Sequence, residues 1–306
     1  GIPKPEINLE VGSGGHAAQT GQIMTKIEEA MLREKPDWVL VFGDTNSTIG
    51  AALAAAKIHI PVAHIEAGLR SYDRKMPEEI NRVMTDHIST VLFPPTQVAV
   101  ENLKKEGITQ GVHLVGDVRV DVVLDTVPRA KAQQAKLFEQ TGLKTGERFA
   151  LATIHRASNT DDRSRLADII GAFNTLDLPV VLPVHPRLKK MMSEFGLTFS
   201  GNVRTIDPIG FVDMVALLDA CTIVITDSGG LQKEAYMLRR PAVTVRDTTE
   251  WIETVQSGWN RLTEPADFKA AVAAALQPTP AAHPDFYGAP GVCDRIVDVL
   301  EAALPK

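Results

Sequence analysis

Asp44, Glu66 and Glu78 are carboxylates placed where α/β chains usually keep their chemistry, directly after an apolar β-branched run or in the first turn of a helix. Trp38-Val-Leu-Val-Phe42 runs into Gly43-Asp44-Thr45, and Val62-Ala-His-Ile65 runs into Glu66-Ala-Gly-Leu-Arg70. Met76-Pro77-Glu78-Glu79-Ile80-Asn81-Arg82 opens a helix with proline in its first turn. Carboxylates held close together raise one another's pKa, and a protonated acid beside an ionised one suits proton transfer at a neutral carbon. Glu78 and Glu79 equally suit simple compensation of the helix dipole, and at least one of them is expected to do only that.

A second constellation suits an anion. In Thr226-Asp-Ser-Gly-Gly-Leu-Gln-Lys-Glu-Ala235 a strand runs through a Ser-Gly-Gly turn straight into a helix. Helix-start N–H groups lack partners, the macrodipole adds positive charge, and Gly229 and Gly230 let a phosphate approach Ser228 closely. A plain N-cap by Ser228 with glycines for a tight turn fits the same residues. Thr153-Ile-His155-Arg156 adds an imidazole and a guanidinium at another strand end, both suited to a diphosphate. A lone histidine after a strand is more often structural, and that reading applies more strongly to His185, before Pro186. His16, after the Gly12-Ser-Gly-Gly15 turn, is expected to cap a helix or face solvent.

The elements that must position these groups alternate. Ile7–Val11, Trp38–Phe42, Val62–Ile65, Val91–Phe93 and Val112–Val115 read as strands, followed by Phe149–Thr153, Pro179–Val184, Val203–Ile206, Thr222–Thr226 and Ala242–Val245. Helices fall between them. Ile23, Ile27, Ala30 and Met31 form one apolar stripe that Pro36 ends. Such βαβ alternation predicts parallel sheets in two Rossmann-like, doubly wound α/β domains sharing a cleft. The polar, glycine-bearing stretch Thr141–Arg148 reads as the linker. The domains are thus expected at 1–143 and 144–290, with the last helix, 291–306, packing back on the first.

With 306 residues, 44% hydrophobic and 23% charged, the chain is long enough for two cores. A net charge of −6 argues against a nucleic-acid binder, whose affinity rests on Lys and Arg. The longest alanine-rich stretches, Ala51–Ala56 and Ala270–Leu276, fall far short of the ~20 apolar residues of a membrane span. The start shows no basic segment followed by an apolar run, so a cytoplasmic location is expected. Cys221, which reads as core, and Cys293 are the two cysteines, and both are expected as free thiols.

Asp44, Glu66–Arg70, Pro77–Arg82, Thr153–Arg156, Asp227–Gly230 and Arg246–Glu250 occur in the order seen in non-hydrolysing UDP-N-acetylglucosamine 2-epimerases, and the chain resembles that family over most of its length. The resemblance implies a glycosyltransferase-B-type fold. It implies acid–base roles for Asp44, Glu66 and Glu78, and a diphosphate-side role for His155. Ser228, Gly229 and Gly230 match the family's phosphate turn, Glu234 its ribose ligand, and Phe211 its uracil-contacting loop. Arg70 and Arg156 are expected as substrate contacts. The implied reaction removes a proton at carbon 2 while UDP leaves carbon 1, then re-adds UDP with the proton on the other face. It requires no cofactor and no metal. The expected partners are a UDP-N-acetylhexosamine and a second copy of the chain, with no nucleic acid or membrane. The loop Ser71–Met76, with Tyr72, Asp73 and Arg74, is expected to contact the sugar and to admit several substituents, a uronic acid included.

The chain departs from the family pattern after His155-Arg156, where a Glu before Asn is usual and this chain reads Ala157-Ser158-Asn159, and at Tyr287-Gly-Ala-Pro290. It also starts without the family's opening strand and Gly-Thr-Arg-Pro-Glu turn, so an incomplete first domain with an unpaired central edge is expected, or one covered by residues 1–6 or a partner. A hydrolysing epimerase, a glycosyltransferase of the same fold and a silent nucleotide-sugar-binding subunit are the alternatives.

Overall fold

A computed structural model describes residues 4–303, in two compact units. The first comprises the residues up to Val118 together with those from Phe286 on, and the second runs Arg119–Asp285.

In the first unit, α1 (His16–Glu34) leads through β1 (Val39–Phe42), α2 (Asn46–Lys57), β2 (Val62–Ile65), α3 (Pro77–Ile88) and β3 (Val91–Phe93) to α4 (Gln97–Lys105). The strands form a parallel sheet of order β1-β2-β3. β2 is central and wholly buried, as its unbroken Val-Ala-His-Ile run requires. The apolar stripe of α1 holds: Ile23, Ala30 and Met31 are buried, and Ile27 packs beside Met31, Val41 and the alanines of α2. Pro77 at the first turn of α3 uses a position whose N–H has no helical partner.

In the second unit, α5 (Arg119–Thr141) precedes β4 (Ala150–Thr153), α6 (Ala157–Thr160), α7 (Arg163–Asn174), β5 (Val180–Pro183), α8 (Pro186–Phe195) and β6 (Val203–Ile206). Then follow α9 (Phe211–Ala220), β7 (Ile223–Thr226), α10 (Gly229–Met237), β8 (Ala242–Thr244), α11 (Ile252–Gln256), β9 (Asn260–Leu262) and α12 (Phe268–Ala275). Six parallel strands lie in the order β6-β5-β4-β7-β8-β9, so the order reverses between β4 and β7. That is the switch point at which open parallel sheets bind ligands. One apolar cluster on each side of the sheet makes this doubly wound: Leu166, Ile169, Phe173 and Phe268 in one, Phe138, Leu151, Leu217 and Leu231 in the other. The buried Cys221 thiol, pushed up to about 12 by burial, donates to Leu218 O at 3.3 Å and belongs to the second cluster.

Four expectations change. Ile7–Val11 is not a strand: Glu10 sits at φ +52°, in left-handed backbone that no strand tolerates, and Lys26 Nζ takes the carbonyl of Leu9 at 2.6 Å. Val112–Val115 contributes only an isolated bridge between Leu92 and Val112. β9 is an additional strand, too short and too polar at Asn260-Arg-Leu262 to show an apolar run. The division falls before α5, not at Thr141–Arg148, because Leu137, Phe138 and Leu143 share a core with Phe149 and Leu151 of the second sheet.

The residues from Phe286 join the first unit through Asp117 N, which donates to Tyr287 O at 2.9 Å. Within α13 (Val292–Ala302), Arg295 donates to Val115 O at 2.9 Å. Residues 304–306 of the expected last helix, and 1–3 of the segment expected to cover the sheet edge, lie outside the described residues. β1 borders the first sheet, with Phe42 56% exposed.

Candidate active site

The second unit gathers its polar side chains at the switch point. β7 delivers Asp227 into a fully buried position, and Ser228 caps α10, its hydroxyl accepting from Leu231 N at 3.4 Å. The Asp227 carboxylate accepts from His155 N at 3.0 Å, Arg156 N at 2.9 Å and Asn159 Nδ2 at 3.1 Å, and His155 Nδ1 lies 3.1 Å away. Burial alone would push this carboxyl up; the hydrogen bonds and charge of His155 and the Arg156 amide outweigh it and hold it below the usual carboxylate range. An ionised Asp227 only accepts, so His155 Nδ1 carries a proton and the ring is fixed in orientation.

His155, Ser228 and Gly230 line a cavity of about 360 Å³ together with Pro208, Ile209 and Glu234. Ser228 and His155 thus meet at the start of α10, where N–H groups and the dipole favour an anion. Glu234, one turn further along α10, accepts from Arg119 Nη1 at 2.7 Å. Gly229 faces a different neighbourhood: a Cβ there would stand 3.4 Å from Trp251 Nε1 and 4.0 Å from Arg156 Nη2. Arg246 grips Glu250 with two bonds of 3.0 Å. Burial opposes ionisation of Glu250, but Arg246 and then Arg156 hold its carboxyl below the usual range. Phe211 begins α9 half exposed, and the preceding Pro208–Ile209 lines the cavity in its place.

In the first unit the three acids share one neighbourhood. Burial pushes the Asp44 carboxyl above its usual range; Arg82 opposes that with an ion pair, and the charges of Glu66 and Glu78 add to the rise. Glu66 sits at φ +69°, backbone that costs a non-glycine residue about 1–3 kcal/mol and recurs at functional sites. Gly43, at φ +62°, leaves the room that a Cβ would close, since that carbon would lie 3.3 Å from Glu66 Oε2.

Glu79 separates from Glu78. Glu78 is exposed, whereas Glu79 is buried and accepts from Ser71 N at 2.8 Å, Tyr72 N at 3.0 Å and Arg82 Nη1 at 2.7 Å. It holds the 71–72 backbone and aims Arg82 at Asp44, which goes beyond dipole compensation. Arg70 is placed away from ligand contact. Its buried guanidinium bonds both Glu106 oxygens at 2.7 Å, Leu69 O at 2.7 Å and Asp86 Oδ2 at 2.7 Å, which leaves no face for a ligand.

Sequence reasoning passed over Arg119 and Asp86, named Asp227 and Arg82 only as members of motifs, and left Glu79 between the acid cluster and dipole compensation. Glu79, Arg82 and Asp86 did carry a signal: polar residues spaced three and four apart on the face of α3 that turns inward. Arg119 carried none. His185, read as structural, caps α8 by accepting from Arg187 N at 3.2 Å, and its ring lies 5.3 Å from that of His155 in the cavity lining. His16 starts α1 exposed and meets Asn46. Among the described residues no group of three or more His, Cys, Asp or Glu is arranged to hold a metal ion, and no helix is long and apolar enough to cross a membrane.

Two units of parallel sheet, one with an anion-suited helix start and one with an acid cluster, place the chain among α/β proteins of the glycosyltransferase-B type. The glycosyltransferase CalG4 shares that fold alone, at 13% identity and a TM-score of 0.57 over 95% of this chain and 80% of its own. The chain belongs to the UDP-N-acetylglucosamine 2-epimerase family, whose model matches residues 1–301. A UDP-N-acetylglucosamine 2-epimerase homolog of Methanococcus maripaludis is 49% identical over 85% of this chain and 74% of its own. The UDP-2,3-diacetamido-2,3-dideoxy-D-glucuronate 2-epimerase of Pseudomonas aeruginosa is 48% identical over 86% and 73%. The crystal structure of the UDP-GlcNAc 2-epimerase of Methanocaldococcus jannaschii in complex with UDP-GlcNAc and UDP aligns at 39% identity and a TM-score of 0.89, covering 99% of this chain and 86% of that one.

Proposed function

We propose that this chain epimerises carbon 2 of UDP-N-acetylglucosamine, or of a related UDP-N-acetylated sugar, by eliminating UDP and adding it back. The observation that carries the reading is the acid cluster of Asp44, Glu66 and Glu78, in which burial and like charge hold the Asp44 carboxyl above the usual range. A glycosyltransferase of this fold has no need of such a cluster. One acid takes the carbon 2 proton as the bond from carbon 1 to the diphosphate breaks, giving a glycal and UDP. Another delivers a proton to the opposite face as UDP re-adds. Ser228, Gly230 and the Asp227-anchored His155 suit the departing diphosphate, and Glu234 with Arg119 suits the ribose. Balance is internal: the C2–H electron pair becomes the C1–C2 double bond as the C1–O pair leaves with UDP, and re-addition reverses both changes.

The test is proton NMR of UDP-N-acetylglucosamine with the enzyme in deuterated water. UDP-N-acetylmannosamine carrying deuterium at carbon 2 is expected. Epimerisation without solvent exchange overturns the mechanism, and free N-acetylmannosamine in its place identifies a hydrolysing enzyme. The Pseudomonas relative favours running the same assay with a diacetamido uronate, whose carboxylate the exposed Arg74 of the 71–76 loop suits. A homodimer and a cytoplasmic location belong to this reading; exposed Ile80 and Met84 on α3 support the former, which light scattering tests.

A further inference from the structure

We infer that His64 is a positioning residue of the acid cluster: with a hydrogen on each ring nitrogen, it ties the Gly43 carbonyl to Asp86 of α3 and so fixes the turn that carries Asp44. This rests on the proposed acid–base role of Asp44.

His64 stands in central β2, opposite Val41 of β1 and Leu92 of β3, with its side chain fully buried. Its Nε2 lies 2.8 Å from Gly43 O and its Nδ1 2.7 Å from Asp86 Oδ1. A backbone carbonyl can only accept. The other Asp86 oxygen takes the Gly68 N–H at 3.0 Å and pairs with the buried Arg70 guanidinium at 2.7 Å; that fixed positive charge favours a carboxylate, which only accepts, over an acid that would hand its proton to His64 Nδ1. Each ring nitrogen therefore faces an acceptor, and both contacts exist only when both nitrogens are protonated. A neutral ring would turn a lone pair on one of them.

The surrounding charges complete the case. His64 and Arg70 contribute two cations; Asp86 and Glu106 contribute two anions, with Glu106 held below the usual range chiefly by its hydrogen bond from Arg70. His87, 3.4 Å from Glu106, is the next titratable group outward. Buried charges persist when paired and fully hydrogen-bonded, and this quartet is balanced with His64 as the cation.

The tie leads to Asp44. Gly43 is the left-handed residue between β1 and Asp44; Asn81 Nδ2 holds Asp44 O at 3.0 Å, and Arg82 holds its carboxylate. Asn81, Arg82 and Asp86 all project from α3, so that helix fixes the turn directly at Asp44 and, through His64, at Gly43. Releasing Gly43 O frees one end of the turn, and a misplacement of about 1 Å at a reacting group can lower turnover roughly 100-fold.

Two substitutions separate this role from simple stability. His64→Gln keeps an amide donor near the Nε2 position, toward Gly43; His64→Asn keeps one near Nδ1, toward Asp86. Each orphans one buried acceptor, so a merely structural histidine predicts equal losses. The positioning role predicts kcat lower in His64→Asn than in His64→Gln by roughly 10-fold or more. KM and the Kd for UDP should stay within about twofold of the parent in both, because the diphosphate residues lie in the other unit. Equal kcat in the two variants, or a loss confined to KM, overturns the proposal. Should either variant fail to fold, 15N-histidine NMR of the unmodified protein decides: His64 is expected to show two slowly exchanging ring N–H protons, and a single one overturns it. Asp44→Asn with undiminished turnover refutes the acid–base reading instead, while leaving the ring N–H count intact.

Discussion

Replacing Asp227 with alanine tests the construction of the diphosphate side most directly. The substitution removes the shared acceptor of His155 N, Arg156 N and Asn159 Nδ2, which lie 3.0, 2.9 and 3.1 Å from the carboxylate. A hydrogen bond to a charged group contributes about 1.5–3 kcal/mol, so three of them set an upper bound of about 4.5–9 kcal/mol. The His155 side chain is 36% exposed, and water can enter the void beside it and re-satisfy part of the loss. About 3–5 kcal/mol of destabilisation is expected to remain, a large share of the roughly 5–15 kcal/mol that holds a domain folded. The two units need not unfold together, so the measurement must report on the second one. In a Trp38→Phe background, Trp251 and Trp259 are the remaining tryptophans and both lie in that unit. Urea unfolding followed by their fluorescence gives the stability, and calorimetry with UDP gives the affinity, expected to fall about 10-fold or more as His155 loses its anchor. A loss below about 1 kcal/mol with unchanged UDP affinity would show that the Asp227 network does not build this site. The same carboxyl sets an acid limit. The folded-state pKa values of Asp227 and Glu250 are depressed, so their contribution is present above the unfolded value of about 4 and is lost as pH falls through the folded value. The acid-induced loss of stability should therefore be shallower in Asp227→Ala.

Asp44→Asn, Glu66→Gln and Glu78→Gln should each lower kcat by about 10²–10⁴-fold in steady-state assays while UDP affinity measured by calorimetry stays unchanged. Because Glu66 helps to raise the Asp44 carboxyl, Glu66→Gln should also bring that group down, which NMR titration of the Asp44 side chain would show as a shift toward lower pH. Gly229 has a negative φ and room for a Cβ, so Gly229→Ala should unfold within about 0.5 kcal/mol of the parent, whereas Gly229→Val should weaken UDP binding by calorimetry, through Trp251 and Arg156. Arg70→Ala should lower the thermal stability of the first unit by about 3–5 kcal/mol, since it leaves Asp86 and Glu106 uncompensated, and should leave the UDP Kd unchanged.

The sequence by itself determined most of the alternation of elements and the strand ends at which the candidate site residues stand. Short β-branched apolar runs such as Val62–Ile65 and Ile223–Thr226 between helical patterns read as buried parallel strands, and the residues that follow them, Glu66 and Asp227, then fall at the carboxyl edge. The Ser228-Gly-Gly helix start was legible for the same reason, since capping and the approach of an anion are local properties of a few consecutive residues. Tertiary structure alone decided which sheet α5 joins, because an amphipathic helix shows that it has an apolar face but not what covers it. It also decided between Glu78 and Glu79. Adjacent acids look alike in the chain, yet a rotation of 100° per residue turns Glu79 onto Ser71 and Arg82 and leaves Glu78 outside. Arg70 and His64 are the clearest cases of the limit. Both lie beside Glu66 in sequence, and their roles were fixed by Asp86 and Glu106, contributed from 16 to 42 positions further along the chain, where only folding can pair a buried charge with its partner.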